Sequence, residues 1–321
     1  MRAVSRSWVI GWLFLLVVSF AAADGRYSIS AAKEYRVCYV VEVTNRRGGP
    51  ARDLNLRIPI FMTEGLPPYQ KVKSFRAPTG VVISKDKNGQ TAEYRLSRLD
   101  KGESLSLEFN FTFVNYAIDY QLKPYRGSSQ VESSYLQPEP GIESDNVQIK
   151  QLARKLTSEY GAQLEKAKRI FHYVNSTLEY QKIERDTRSA LETLKIGKGV
   201  CEDFSLVFIA LCRASGIPAR LVRGYRFNDS DLKSGETDLQ NFAHAWAEVY
   251  LPAEGWVTVE PTFNYSYNGV KTVSYEFFGK IDKTDRHLFY SYERDIAPSC
   301  SWTHDPRNPA DLQLSFRALL R

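Results

Sequence analysis

Neither a C-x-x-C pair nor an H-x-x-x-H pair occurs anywhere in the 321 residues. Zinc sites assembled from neighbouring ligands depend on such spacings, so no metal and no other cofactor is expected. Cysteine itself is scarce: Cys38, Cys201, Cys212 and Cys300 are too few and too dispersed for a disulfide scaffold. No basic run and no nucleic-acid motif accompanies the net charge of +6. A nucleic-acid partner is therefore not expected, and the scattered positive charge favours at most peripheral contact with an anionic cell surface. Beyond the first twenty or so residues, no segment is apolar enough to cross a bilayer.

The first 23 residues stand apart in composition. MRAVSRS carries two arginines, WVIGWLFLLVVSF is a short apolar run, and AAAD offers small residues for cleavage. That layout is a signal peptide at 1–23 and implies a secreted or extracytoplasmic protein, with an uncleaved N-terminal anchor as the alternative. In a host that glycosylates, Asn110, Asn175, Asn228 and Asn264 would be acceptor sequons.

After the leader the chain divides by period. In YRVCYVVEVT, residues Tyr35, Val37, Tyr39, Val41 and Val43 share one face, and Leu105 to Phe113 repeat the pattern in SLSLEFNFTF. Alternating strands with one apolar face need a second sheet to cover them. An antiparallel β-sandwich of immunoglobulin-like type is expected over 24–126, as a structural or docking module. Residues 127–146 are polar and hold two prolines, which suits a linker. Beyond them Leu164, Ala167, Phe171, Val174 and Leu178 mark a helix face. A buried helix at 203–215 ends at Gly216 and Pro218, and ARLVRGY, AHAWAEVYL and GWVTVEPT read as strands. Helices followed by antiparallel strands indicate an α+β domain, expected over 147–321 with the C-terminal tail included.

The chemistry gathers in that second domain. Cys201 follows a glycine turn and opens a helix, where unpaired N–H groups and the helix dipole favour a thiolate. Cys212, eleven residues on in LVFIALC, is a packing thiol. A thiolate needs a base, and the base needs an orienting group. His244 in NFAHAWAEVY and Glu260 in GWVTVEPT are the candidates. Strand parity places their side chains on one face if the hairpin connection has three residues, or four with a bulge, and on opposite faces with a plain four-residue loop. Asp203 is better placed as a charge at the helix start than as a catalytic acid.

Together GVCEDFSLVFIALCRASGIPARLVRGY and AHAWAEVYLPAEGWVTVEPT resemble the core signature of the transglutaminase-like superfamily, of a bacterial, secreted type. The resemblance runs over roughly 147–295. It implies a papain-like fold with a Cys-His-Asp triad, carried here by Cys201, His244 and Glu260. The departure is Glu260, where the family most often has aspartate. Implied is a thioester enzyme acting on protein or peptide amides, cell-wall or cell-surface peptides among them. Water as acceptor would make it a protease or amidase, and a lysine amine a cross-linking transferase. A weakly active or inactive fold serving as a binding scaffold is the alternative. The Cys201 N–H is the expected oxyanion donor, with Tyr180 a conceivable second donor that suits core packing better. Trp246, Trp256 and Tyr225 read as packing residues. With Cys201 free, at most one disulfide can close, and Cys38 with Cys300 is the pairing that would tie tail to sandwich.

Overall fold

A computed structural model describes residues 20–21, 25–127, 131–182, 189–267, 270–294 and 296–321. The expected leader, apart from residues 20–21, lies outside the described residues. The period-two half forms strands β1 (Tyr27–Arg47), β2 (Ala51–Ile60), β3 (Gln70–Arg76), β4 (Val82–Lys85), β5 (Gln90–Leu99) and β6 (Ser104–Tyr120). β1 pairs antiparallel with β6 from Tyr27↔Tyr120 to Thr44↔Ser104, and β3 lines the other edge of β6. The second sheet holds β2, β5 and β4. Alternation decides which side chains go inside: Val37, Tyr39, Val41, Phe109, Phe111 and Phe113 face Leu54, Leu56 and Ile58 across the layer.

The helical half follows as α1 (Val147–Thr157), α2 (Gln163–Thr177), α3 (Ala190–Ile196) and α4 (Cys201–Ala214). Then come β7 (Ala219–Asn228), β8 (Ala243–Leu251), β9 (Gly255–Val259) and β10 (Asp285–Ser291), in the sheet order β9-β8-β7-β10. α4 is apolar on nearly every side because α1, α2 and α3 pack around it and β8 lies against it. Cys212 is fully buried there, and burial pushes its thiol well above the ordinary range. The 127–146 segment is fastened where α4 ends: Arg213 donates to the Gln137 carbonyl at 2.6 Å and to Glu139 at 2.8 Å.

The C-terminal tail departs from the domain expected for it. Residues Ser299–Thr303 (β11) pair with β2, and Asp311–Leu320 (β12) pair with β1 over Val37–Arg47. β1 has a second edge that needs hydrogen-bond partners, and DLQLSFRALL supplies them. Its alternating Leu312, Leu314 and Phe316 pack on the sandwich core. The tail therefore completes the sandwich rather than ending the helical unit. The Cys38–Cys300 bridge is also corrected, since all four cysteines are free thiols. Cys38 lies on β1 beside Val40 and Leu319, whereas Cys300 lies on β11 in the opposing sheet.

Two apolar cores result, and each draws on both units. One joins the helices and the β7–β10 sheet to Tyr69, Ile118 and Tyr120 of the sandwich. The other joins the sandwich layers to Tyr225, Phe227, Leu288 and Tyr290. Phe61, fully buried, sits at that junction with its ring 4.6 Å from Tyr290 and 5.2 Å from Phe111. Among the described residues no helix is long and apolar enough to cross a membrane.

Because the cores are shared, both halves are expected to unfold in one transition. Phe61→Ala should cost about 3–5 kcal/mol. Denaturant melts followed by tryptophan fluorescence and by far-UV circular dichroism should shift together. Two separated transitions would refute the shared core.

Candidate active site

Cys201 is the first residue of α4 and is partly exposed. The turn before it is tight: a Cβ added at Gly199 would stand 2.5 Å from the Asp203 Cβ, so glycine is required. Asp203 turns back over this turn, its carboxylate accepting from the Val200 N–H at 2.8 Å. That is the helix-start role expected of it. The Cys201 N–H, at the first helical position, has no acceptor within its own helix.

His244 enters from β8 and Glu260 from the residue after β9. The hairpin pairs Leu251 with Gly255 and Ala247 with Val259, leaving three residues in the connection. This is the parity that puts both side chains on one face. His244 Nε2 meets Glu260 Oε2 at 2.5 Å, with both side chains less than a tenth exposed. The Cys201 side chain is the other polar partner of the imidazole. Phe263 stacks on the ring at 5.5 Å and Trp246 lies nearly parallel at 6.0 Å, which fixes its plane.

The electrostatics follow from the packing. Burial alone would push the His244 pKa down, but the Glu260 carboxylate, aided by Cys201, outweighs it and raises the pKa to about 10. Burial would likewise raise Glu260, yet the charge and hydrogen bond of His244 hold it well below the usual carboxylate range. The imidazole therefore stays protonated and the carboxylate ionised across the neutral range.

The extra methylene of glutamate is used. Glu260 Oε1 accepts from the Thr262 N–H at 3.2 Å while Oε2 reaches His244. Asn175 of α2 is fully buried and donates to the carbonyls of Pro261 at 3.1 Å and Phe263 at 2.6 Å. It thereby ties down the turn that carries Glu260. Its burial also removes it as a sugar acceptor. The only sign of this role in the sequence is a polar residue beside the apolar stripe of α2. A second histidine, His287 on β10, comes within 3.7 Å of Glu260 Oε2. It follows Asp285 and Arg286 in the strand DRHLFYS, and its contact with Glu260 is visible only in three dimensions.

His244, Glu260 and His287 are the ligand-capable cluster among the described residues, their nearest atoms all within 4.8 Å. Two ligands at about 2.1 Å from a tetrahedral zinc lie more than 3 Å apart. The 2.5 Å contact of His244 and Glu260 is thus a charged hydrogen bond and not a ligand pair.

Cys201 and His244 open on a cleft of about 410 Å³. Gly224 lines it beside them, and a Cβ there would strike the Leu288 carbonyl at 2.2 Å. The sandwich contributes to the lining through Tyr39 of β1 and Phe316 of β12. Tyr180 is 59% exposed and lines the same cleft, so it is a wall residue and not a core residue. Trp246 is fully buried, as expected, and Tyr225 is a buried ring that also touches the cleft. Trp256 packs under the Arg220 guanidinium at 4.0 Å.

Residues 150–261, which include all three site residues, match the family model of the transglutaminase-like superfamily. An uncharacterized protein of Bacillus subtilis, YebA, is 32% identical over 130 residues, covering 37% of this chain and 18% of that protein. An uncharacterized protein of Haemophilus influenzae is 28% identical over 165 residues, covering 46% and 41%. A protein-glutamine gamma-glutamyltransferase of Pseudomonas aeruginosa is 36% identical over 66 residues, covering 20% of this chain and 10% of the enzyme. The matched stretch thus spans less than half of each of these relatives. The crystal structure of a Cytophaga hutchinsonii protein proposed to be a cysteine protease superposes with a TM-score of 0.54 at 17% identity. It covers 90% of this chain and 99% of its own, which shows a common fold. Cysteine at a helix start, histidine and acid on adjoining strands, and the family match converge: this chain carries a domain of the transglutaminase-like superfamily over residues 150–261.

Proposed function

We propose that the protein is an exported thiol enzyme that acts on protein or peptide amides through a Cys201 thioester. One observation carries this reading: the buried 2.5 Å contact of His244 with Glu260, set beside Cys201 at a helix start and open to a cleft. A binding scaffold would gain little from such a pair, because taking two charges out of water costs about what their attraction returns. Export rests on the leader-like composition of residues 1–23, and it makes cell-surface or cell-wall peptides the natural substrate class.

In the proposed reaction Cys201 and His244 react as thiolate and imidazolium. The thiolate attacks the amide carbonyl carbon, and the Cys201 N–H faces the developing oxyanion. The carbon–nitrogen bond breaks as His244 passes its proton to the leaving amine, leaving a thioester. Water or a lysine amine then attacks the thioester, giving its proton to His244, and the Cys201 sulfur leaves. Glu260 remains ionised throughout and holds the imidazole in place.

The deciding experiment incubates the protein with a glutamine-containing protein and a tagged amine, beside a Cys201→Ala control. Cys201-dependent tag incorporation identifies a transferase, and cleavage or deamidation a hydrolase. No Cys201-dependent product, with no iodoacetamide labelling of Cys201 below pH 7, where a simple thiol is protonated, would leave the scaffold in place.

Two further outcomes are expected. Glu260→Asp, although it restores the residue more common in the family, should lower turnover about a hundredfold. The carboxylate, one methylene shorter, falls short of His244 by about 1 Å, a misplacement that can cost that much in rate. Turnover at wild-type level in that variant would refute the role given to the extra methylene. The pH dependence follows from the signs. His244 is raised, so its stabilising contribution is complete below the unfolded value near 6.5 and is lost as pH rises through about 10. Glu260 is lowered, so its contribution is present above an unfolded value near 4.3 and is lost as pH falls through the acid range. Activity should hold through about pH 8 and fall as pH approaches 10. A basic limb near the pKa of free histidine, about 6.5, would overturn the ion pair.

A further inference from the structure

We propose that His287 is a positioning residue for Glu260, and that the amino-terminal sandwich sets its place through Asn115 and Gln70. This rests on the thiol-enzyme reading above. His287 is buried, with Trp246 edge-on to its ring at 5.0 Å and 87°. Its Nε2 lies 3.7 Å from Glu260 Oε2, the oxygen that also meets His244. Its Nδ1 lies 3.8 Å from Asp285 Oδ1, and Arg226 pairs with that same oxygen at 2.9 Å. Asp285 is thus neutralised by Arg226, while Glu260 is shared between two imidazoles.

A lone pair aimed at Glu260 from this distance would be repelled, so the ring presents an N–H there. The 3.7 Å separation exceeds a hydrogen bond and is a charge–dipole contact. His287 therefore opposes rotation of the Glu260 carboxylate off His244.

The position of His287 comes from the other half of the chain. β10 is an edge strand of the β9-β8-β7-β10 sheet, and its outer backbone groups need partners. Two buried amides of the sandwich meet that need. Asn115 on β6 donates to the His287 carbonyl at 2.8 Å. Gln70 on β3 accepts from the Phe289 N–H at 2.8 Å and donates to the Phe289 carbonyl at 2.9 Å. Asn115 and Gln70 are themselves cross-strand neighbours, so they dock as a unit on alternate residues of β10. A path of direct contacts thus runs from the sandwich through His287 and Glu260 to His244.

The test uses the full chain and iodoacetamide labelling of Cys201 between pH 5 and 11. His287→Phe keeps the ring packing and removes the N–H, while His287→Gln keeps a donor. The Phe variant should label about tenfold more slowly at pH 6, with its upper inflection lower by about one pH unit. The Gln variant should stay within about threefold of wild type, and Asn115→Leu should shift the profile the same way as Phe. A folded Phe variant with a wild-type profile would overturn the proposal, as would a Gln variant as impaired as Phe. A reading that needs no mutant is the ¹⁵N shift of His287 in histidine-labelled protein. A proton on Nε2 supports the contact, and a proton on Nδ1 alone overturns it. If wild-type Cys201 fails to label below pH 7, the thiol-enzyme reading fails instead, and the ¹⁵N result still decides the His287 contact.

Discussion

A carboxylate and an imidazolium share one proton deep in the protein, and most of the surrounding architecture serves that contact. An unpaired Glu260 at this depth would be costly, and so would an unpaired charged His244. Together they are tolerable only if the geometry is close and the remaining lone pairs are used. Three separate elements supply those conditions: the three-residue β8–β9 connection, the Thr262 N–H, and the Asn175 amide from α2. None of the three touches Cys201, yet each determines how the imidazole is aimed at it.

The helix that carries Cys201 solves a different problem. α4 is the most buried helix among the described residues, so its direction is set by packing on every side. Only its two end residues, Cys201 and Ala214, are partly exposed, and at the first of them the Gly199 turn and the Asp203 carboxylate hold the chain entering the helix. Rigid support beneath a partly exposed thiol suits the proposed role of Cys201, since small displacements from an attacking geometry are expensive in rate. The cleft beside it is lined by residues from both halves, Tyr39 and Phe316 among them.

Much of this was legible in the sequence, and the pattern of what was not is instructive. Periodicity separates the two halves, because alternation along β1 and β6 and the apolar stripe of α2 are local properties. Cys201, His244 and Glu260 stand out because glycine turn, helix start and strand parity are also local. The contributions of Asn175, His287, Asn115 and Gln70 depend on which surfaces meet, and single buried polar residues leave no mark that separates them from exposed ones. Asn175 even presents itself as a sequon, the opposite of its buried role. The tail was open to a closer reading, since Leu312, Leu314 and Phe316 alternate as plainly as the strands of the sandwich. What alternation cannot say is which open edge such a strand will join.

That edge has a consequence for the order in which the molecule comes into being. β12 closes the sandwich along β1, some 270 positions earlier in the sequence, and brings Phe316 to the cleft wall. Pairings so distant in sequence form late, because the loop between them must be closed before any contact rewards it. A growing chain that has already made Cys201, His244 and Glu260 still lacks one wall of its cleft and the last strand of its supporting sheet. Cys201 is therefore synthesised well before the chamber around it can be finished, and completion of the cleft is tied to β12.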